Sequence, residues 1–175
     1  MTTEQTKPPE HKIAGAPISW GVCEVPGWGY QLRPDRVLEE MREVGLMATE
    51  LGPDGFLPRD PAAMASVLSQ HGLQAVGGFT PLLMHMPDHD PVPEVDRLLH
   101  GYVASGAEVL VLSAVTGSAG YDSRPQLDES GWKRLLSNLD RVATLAADRG
   151  VRAVLHPHVG TMLTASEPAS GSDRQ

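Results

Sequence analysis

The chain has 175 residues, with 14 Lys+Arg against 22 Asp+Glu and a formal charge of −8. That length suits one domain with a sizeable core, and 41% hydrophobic residues argue against global disorder. The acidic balance and the lack of a Lys/Arg run speak against nucleic acid as a partner. No apolar stretch nears the roughly 18 residues that span a bilayer, and the start MTTEQTKPPEHK has no apolar signal core. A single cysteine, Cys23, can form no internal disulfide, in keeping with a reducing, cytoplasmic setting.

Residues 1–12 are polar and Pro-containing and read as a disordered tail, and residues 162–175 as a second, irregular tail. Between them, residues 13–161 repeat one unit: a helical pattern, a glycine, then a short β-rich run. A first strand is expected at 13–19. A helix at 35–44 starts at Pro34-Asp35 and stops at Gly45, before a strand at 47–51. The next helix, 61–71, starts at Asp60-Pro61 and stops at Gly72, before a strand at 74–79. A third, 91–105, starts at Asp90-Pro91 and stops at Gly106, before a strand at 108–113. The last, 129–149, starts at Asp128-Glu129 and stops at Gly150, before a strand at 152–156.

The punctuation has a mechanism. Aspartate supplies an acceptor to the free amides of a first turn, proline there loses no bond, and a glycine just past the last turn takes a left-handed conformation without a Cβ penalty. Trp132, Leu135, Leu136, Leu139, Val142, Ala143 and Ala146 recur at three- and four-residue steps, giving the last helix one apolar face. The run Val109-Leu-Val-Leu112 is continuous rather than alternating, as in a parallel strand buried on both faces. The order βαβαβαβαβ is that of an α/β fold with right-handed crossovers.

In such sheets ligands sit beyond the carboxyl ends of the strands. The expected ends carry Ser19-Trp20-Gly21, Glu50-Leu51-Gly52, Phe79-Thr80-Pro81, Ser113 and His156-Pro157-His158. A doubly wound sheet uses one switch point, whereas a (β/α)8 TIM barrel draws groups from many strand ends, so the spread favours a barrel. No GxGxxG follows the first strand, and Gly117-Ser-Ala-Gly120 lacks the spacing of a dinucleotide fingerprint. Five strands and four covering helices amount to a partial barrel, since a full one takes about 250 residues.

Three stretches, Ile13-Ala-Gly-Ala-Pro-Ile-Ser-Trp-Gly21, Ala48-Thr-Glu-Leu-Gly52 and Leu155-His-Pro-His-Val-Gly-Thr161, resemble the xylose-isomerase-like (β/α)8 sugar isomerase/epimerase superfamily, most of all its inosose dehydratase branch. The resemblance runs from Ile13 to Thr161. It implies a divalent metal, Mn, Co or Mg, at the strand ends, beside a carboxylate or histidine that moves a proton next to a carbonyl. His156 stands where many relatives carry a metal-binding glutamate. The other usual ligands come from later strands that this chain lacks, so the implied metal site is incomplete and the chain reads as C-terminally truncated.

On that basis Glu50 and His158 are the candidate catalytic groups, and His156 the candidate metal ligand. Ser19, Trp20, Phe79, Thr80 and Ser113 are the candidate walls for a small polyol, sugar or cyclitol. Each has a plainer reading: His156 and His158 hold a turn around Pro157, Glu50 caps the next segment, and Trp20 packs in the core. His85 and His89 have the H-x-x-x-H spacing of zinc helices, but Pro87 and Asp90-Pro91 prevent a helix there, leaving a solvated loop. Trp28 belongs to a surface loop, and Cys23 is structural. A metal-assisted isomerase, epimerase or dehydratase is the first expectation. A non-catalytic fragment that binds a polyol, or pairs with another chain or its own copy through open sheet edges, is the second. A DNA phosphodiesterase on the same barrel is disfavoured by the acidity.

Overall fold

Asp60 and Asp128 cap helices as their positions predict. In the computed structural model, which describes residues 13–23, 25, 27–118 and 124–163, the helices are α1 (Pro34–Glu43), α2 (Pro61–Gln70), α3 (Val92–Ser105) and α4 (Glu129–Asp148). Asp60 accepts from the Ala63 amide at 2.8 Å and Asp128 from the Gly131 amide at 2.7 Å, so each satisfies a donor the first turn leaves free. Gly45, Gly72, Gly106 and Gly150 all have φ between +62° and +87°, the left-handed stop their spacing requires.

The strands are β1 (Ala14–Gly15), β2 (Ala48–Glu50), β3 (Gln74–Leu82), β4 (Val109–Ala114) and β5 (Arg152–Leu155). They form one parallel sheet in the order β1-β2-β3-β4-β5. Sequential order with a helix in every crossover is the winding of a barrel, and five strands with four helices make a partial one. The helix-facing side of the sheet, including Leu51, Leu82, Leu110 and Leu112, packs on Leu38, Met41, Leu99 and Leu135 of α1, α3 and α4. None of the helices is long and apolar enough to cross a membrane among the described residues.

Several expectations are corrected. The first strand stops at Gly15 instead of 19, because Pro17 has no N–H for the ladder and starts a 3₁₀ turn, Pro17–Trp20. The third strand continues to Leu82 instead of 79. Pro81 is tolerated inside it because its missing N–H falls on the side of β2, which has already ended at Glu50. The loop at His85 is not solvated: Met84 and His85 are buried, with the Met84 carbonyl accepting from Asn138 Nδ2 (2.9 Å) and the His85 carbonyl from Arg134 (3.0 Å) on α4. Of the predicted apolar face of α4, Trp132 and Leu136 are exposed. The packed part runs beyond 161, since Met162 is buried and its amide donates to the Ala114 carbonyl at 2.7 Å. The expected tail at 1–12, and 162–175 from residue 164 onward, lie outside the described residues.

Candidate functional site

Gly77 and Gly78 determine how Glu50 is presented. The β2–β3 register jumps, with Thr49 opposite Ala75 but Glu50 opposite Gly77, so β3 carries an extra residue there. Such a bulge re-aims side chains next to it. The two glycines allow close approach: a Cβ on Gly77 would lie 2.3 Å from the Val109 carbonyl oxygen, and one on Gly78 2.6 Å from Tyr102 Oη. Tyr102, reaching in from α3, donates its hydroxyl to the Gly78 carbonyl at 3.0 Å and lies 3.4 Å from Thr80 Oγ1. Burial above all, with a smaller push from the Glu50 charge, raises the Tyr102 phenol to about 12.

Strand alternation then divides the sheet. Leu110, Leu112 and Ala114 face the helices, while Val111, Ser113 and Val115 face a trough of about 910 Å³ along the inner side. Glu50, Phe79, Pro81, His156 and His158 line the same trough. Glu50 is half-buried, and this desolvation raises its carboxyl above the ordinary value. Ser113 is 0% exposed, and its Oγ has no hydrogen-bond partner. The His156 and His158 rings lie 5.4 Å apart by centroid, with Phe79 edge-on to His156 at 6.0 Å and tilted to His158 at 6.3 Å. His158 Nδ1 is 2.7 Å from the Val159 carbonyl oxygen.

The structure thus gathers Glu50, Phe79, Ser113, His156 and His158, and leaves three predicted residues elsewhere. Trp20 Nε1 donates to Glu40 on α1 at 2.9 Å, which holds the indole away from the trough, and Ser19 is exposed on the 3₁₀ turn. Thr80 points to the helix side and meets Tyr102. Ala16, Pro17 and Ile18 line the trough in place of Ser19 and Trp20, together with Val22, Cys23 and Trp28 of the following loop. No periodicity marks an irregular loop, so only the clustering of Pro26, Gly27 and Gly29 around Trp28 signals a shaped turn there. Among the described residues no group of three or more His, Cys, Asp or Glu side chains converges as a metal site.

Set against known proteins, the chain is 29% identical over 168 residues to the inosose dehydratase of Geobacillus kaustophilus, covering 89% of this chain and 53% of that protein. Among solved structures, L-ribulose 3-epimerase superposes with a TM-score of 0.60 at 16% identity, over 82% of this chain and 48% of that one. The chain is thus similar in sequence to inosose dehydratases and in fold to a sugar-epimerase barrel. Another structure with that barrel, the IolI protein solved with a zinc atom, gives a TM-score of 0.61 at 15% identity, over 82% of this chain and 50% of the other. At these identities the structural likeness is one of fold. No family model matches. The chain spans about half the length of the curated relatives it matches.

Proposed function

We propose that the trough is the binding half of a sugar or cyclitol isomerase, epimerase or dehydratase site, with Glu50 as the proton-moving group. One observation carries this: Glu50, Ser113 and the His156/His158 pair come from different strands of the sheet and line a single trough. The dehydratase and epimerase names of the relatives support the reaction class.

Removing a proton from the carbon next to a carbonyl leaves the C–H electron pair in an enediolate. An epimerase returns a proton to that carbon, and an isomerase to its neighbour. A dehydratase uses the same electron pair to expel a β-hydroxyl, which leaves as water once protonated. A base works best with a pKa near the operating pH, and burial moves Glu50 in that direction. His158, on the same wall, is the candidate to hydrogen-bond or protonate the oxygen that gains charge. Phe79 offers a flat apolar wall to a ring's C–H face, and the Ser113 hydroxyl, unpartnered but fully buried, would reach a substrate hydroxyl only where the trough wall gives way to it. His156 is the candidate donor to a divalent ion. The donors present do not fit a resident ion by themselves: structural and catalytic sites of borderline metals use three or four protein ligands, and no such group converges among the described residues. No step is therefore assigned to a metal. The same shortfall favours a second reading, polyol binding without turnover.

Calorimetric titration with an inosose and with ketohexoses, followed by turnover assays with Mn, Co or Mg added, tests both readings. Binding that Ser113→Ala weakens about tenfold, roughly the worth of one hydrogen bond, supports the trough as the site. Binding without turnover selects the second reading, and no binding of either sugar class overturns both.

A further inference from the structure

We infer that a second cavity beside the trough receives a further hydroxylated ring, so that the ligand of this site is a two-ring carbohydrate: a carbonyl-bearing sugar in the trough, joined to a second sugar next door. The inference rests on the proposed reading of the trough as a sugar or cyclitol site. The second cavity, of about 610 Å³, lies among the segment leading into α1, the loop after β2 and one face of α3. It shares Val22, Cys23, Gly52, Pro53, Phe79 and Pro81 with the trough, so the two stand side by side at the same strand ends. The partition is thin at Gly52. A Cβ there would lie 2.8 Å from the Phe56 ring, which lines the second cavity, and 3.0 Å from Pro17, which lines the trough.

The lining of the second cavity fits a neutral, hydroxylated occupant. Arg59 and Arg97 both donate to the Asp54 carboxylate, at 3.3 and 3.0 Å, and Glu94 lines the same cavity. Arg33, the third guanidinium of the lining, donates to Asp35 at 3.0 Å. With Asp35 counted, three cations stand against three carboxylates, a balance that favours neither an anion nor a cation. Guanidinium groups offer donors and carboxylates acceptors beyond the few these contacts use, and adjacent sugar hydroxyls can serve both. Thr80 and Tyr102 place two buried hydroxyls in the lining, while Phe56 and Phe79 add ring surface for C–H groups. An apolar occupant would strip water from the charged groups and give nothing in return. Each cavity lies within the range of about 300–1,000 Å³ that suits one small ligand, so the adjoining pair suits two linked rings better than one.

Lactulose, turanose and isomaltulose carry the same ketohexose as fructose, with a second sugar ring joined through three different hydroxyls. Calorimetric titration of the whole chain with these disaccharides and with fructose tests the inference. At least one disaccharide should bind about tenfold or more tightly than fructose, the worth of one or two added hydrogen bonds. Arg97→Ala, at an exposed position on α3, should collapse that ratio to within about twofold. Arg36→Ala, exposed on α1 and outside the lining of both cavities, should leave the ratio unchanged. Fructose binding with no gain for any disaccharide overturns the inference and leaves the reading of the trough standing. A gain that Arg97→Ala does not touch overturns it as well, because the second ring then sits elsewhere. No binding by any of the sugars overturns the inference and the reading of the trough together.

Discussion

Glu50 is held half-buried beside a bulge, and this desolvation lifts its pKa above the ordinary carboxylate value. A group whose folded pKa is raised stabilises the fold below its unfolded value near 4.3 and loses that contribution as pH climbs through the folded value. At neutral pH the ionised Glu50 is therefore a net cost. Glu50→Gln should raise stability at pH 7 by on the order of 0.5 kcal/mol, after discounting for its solvent-facing side, while removing any turnover. Urea titrations at pH 7 and pH 4 measure it: the gain should shrink at the lower pH, and an equal gain at both would contradict desolvation as the cause. Ser113→Ala removes an orphan hydroxyl. Its stability change should be within about 1 kcal/mol of zero, whereas a real internal partner would make it clearly destabilising. Glu50, His156 and His158 were legible because unusual polar residues follow apolar runs. Trp20 and Thr80 were misplaced because facing depends on where Pro17 ends β1 and how the bulge offsets β3, and neither follows from residue type.

Among the elements, β3 and α3 are coupled through one missing side chain. Tyr102 Oη occupies the space a Cβ on Gly78 would need. Gly78→Ala should cost about 1–3 kcal/mol by overpacking. Tyr102→Phe should cost about 1 kcal/mol by leaving the Gly78 carbonyl without its donor. The double variant should be less destabilised than the sum, since phenylalanine vacates the contested space; additive costs from thermal melts would argue against the steric account. The segment after β3 behaves differently, being pinned to α4 by Asn138, Arg134 and Arg141, the last pairing with Asp90 at 3.1 Å. There, burial and the neighbouring Arg134 charge depress the His85 pKa, and its Nδ1 has no partner. A histidine depressed in this way stabilises the fold above about pH 6.5 and loses that contribution as pH falls through its lower folded value. His85→Phe should therefore flatten the loss of stability between pH 7 and pH 5 by on the order of 1 kcal/mol, as read from denaturation midpoints. An unchanged slope would show that His85 takes up its proton alike in the folded and unfolded states, against the depressed pKa. The proline-rich sequence around His85 ruled out a helix, but its burial came from three polar residues some fifty positions away on α4, a distance no local pattern reports.

At the scale of the molecule, winding was legible and closure was not. Aspartate and glycine punctuation marked every helix, and sequential crossovers then leave a parallel sheet as the consistent solution. What covers the flank of α4 is a property of the surroundings: a helix with a wide apolar face, seen alone in sequence, looks the same whether the whole face is buried or part of it waits, as at Leu136. Among the described residues β5 has a free edge, and this has a physical consequence for the isolated chain. A free strand edge is a template for pairing with other chains, opposed here by repulsion between molecules that each carry a formal charge of −8. Salt screens that repulsion, shortening its reach to about 8 Å at physiological ionic strength and about 3 Å at 1 M, while edge pairing through backbone hydrogen bonds and apolar contact persists. Sedimentation of the isolated chain should accordingly show a weight-average mass that climbs with salt and with protein concentration, without settling at a closed dimer. Leu155→Lys places a charge beside the free edge, the device by which natural sheets discourage such pairing, and should hold the mass at that of a monomer over the same range. If the mass falls as salt is added, charge pairing rather than the β5 edge drives association; if Leu155→Lys leaves the climb unchanged, the contact lies elsewhere on the surface.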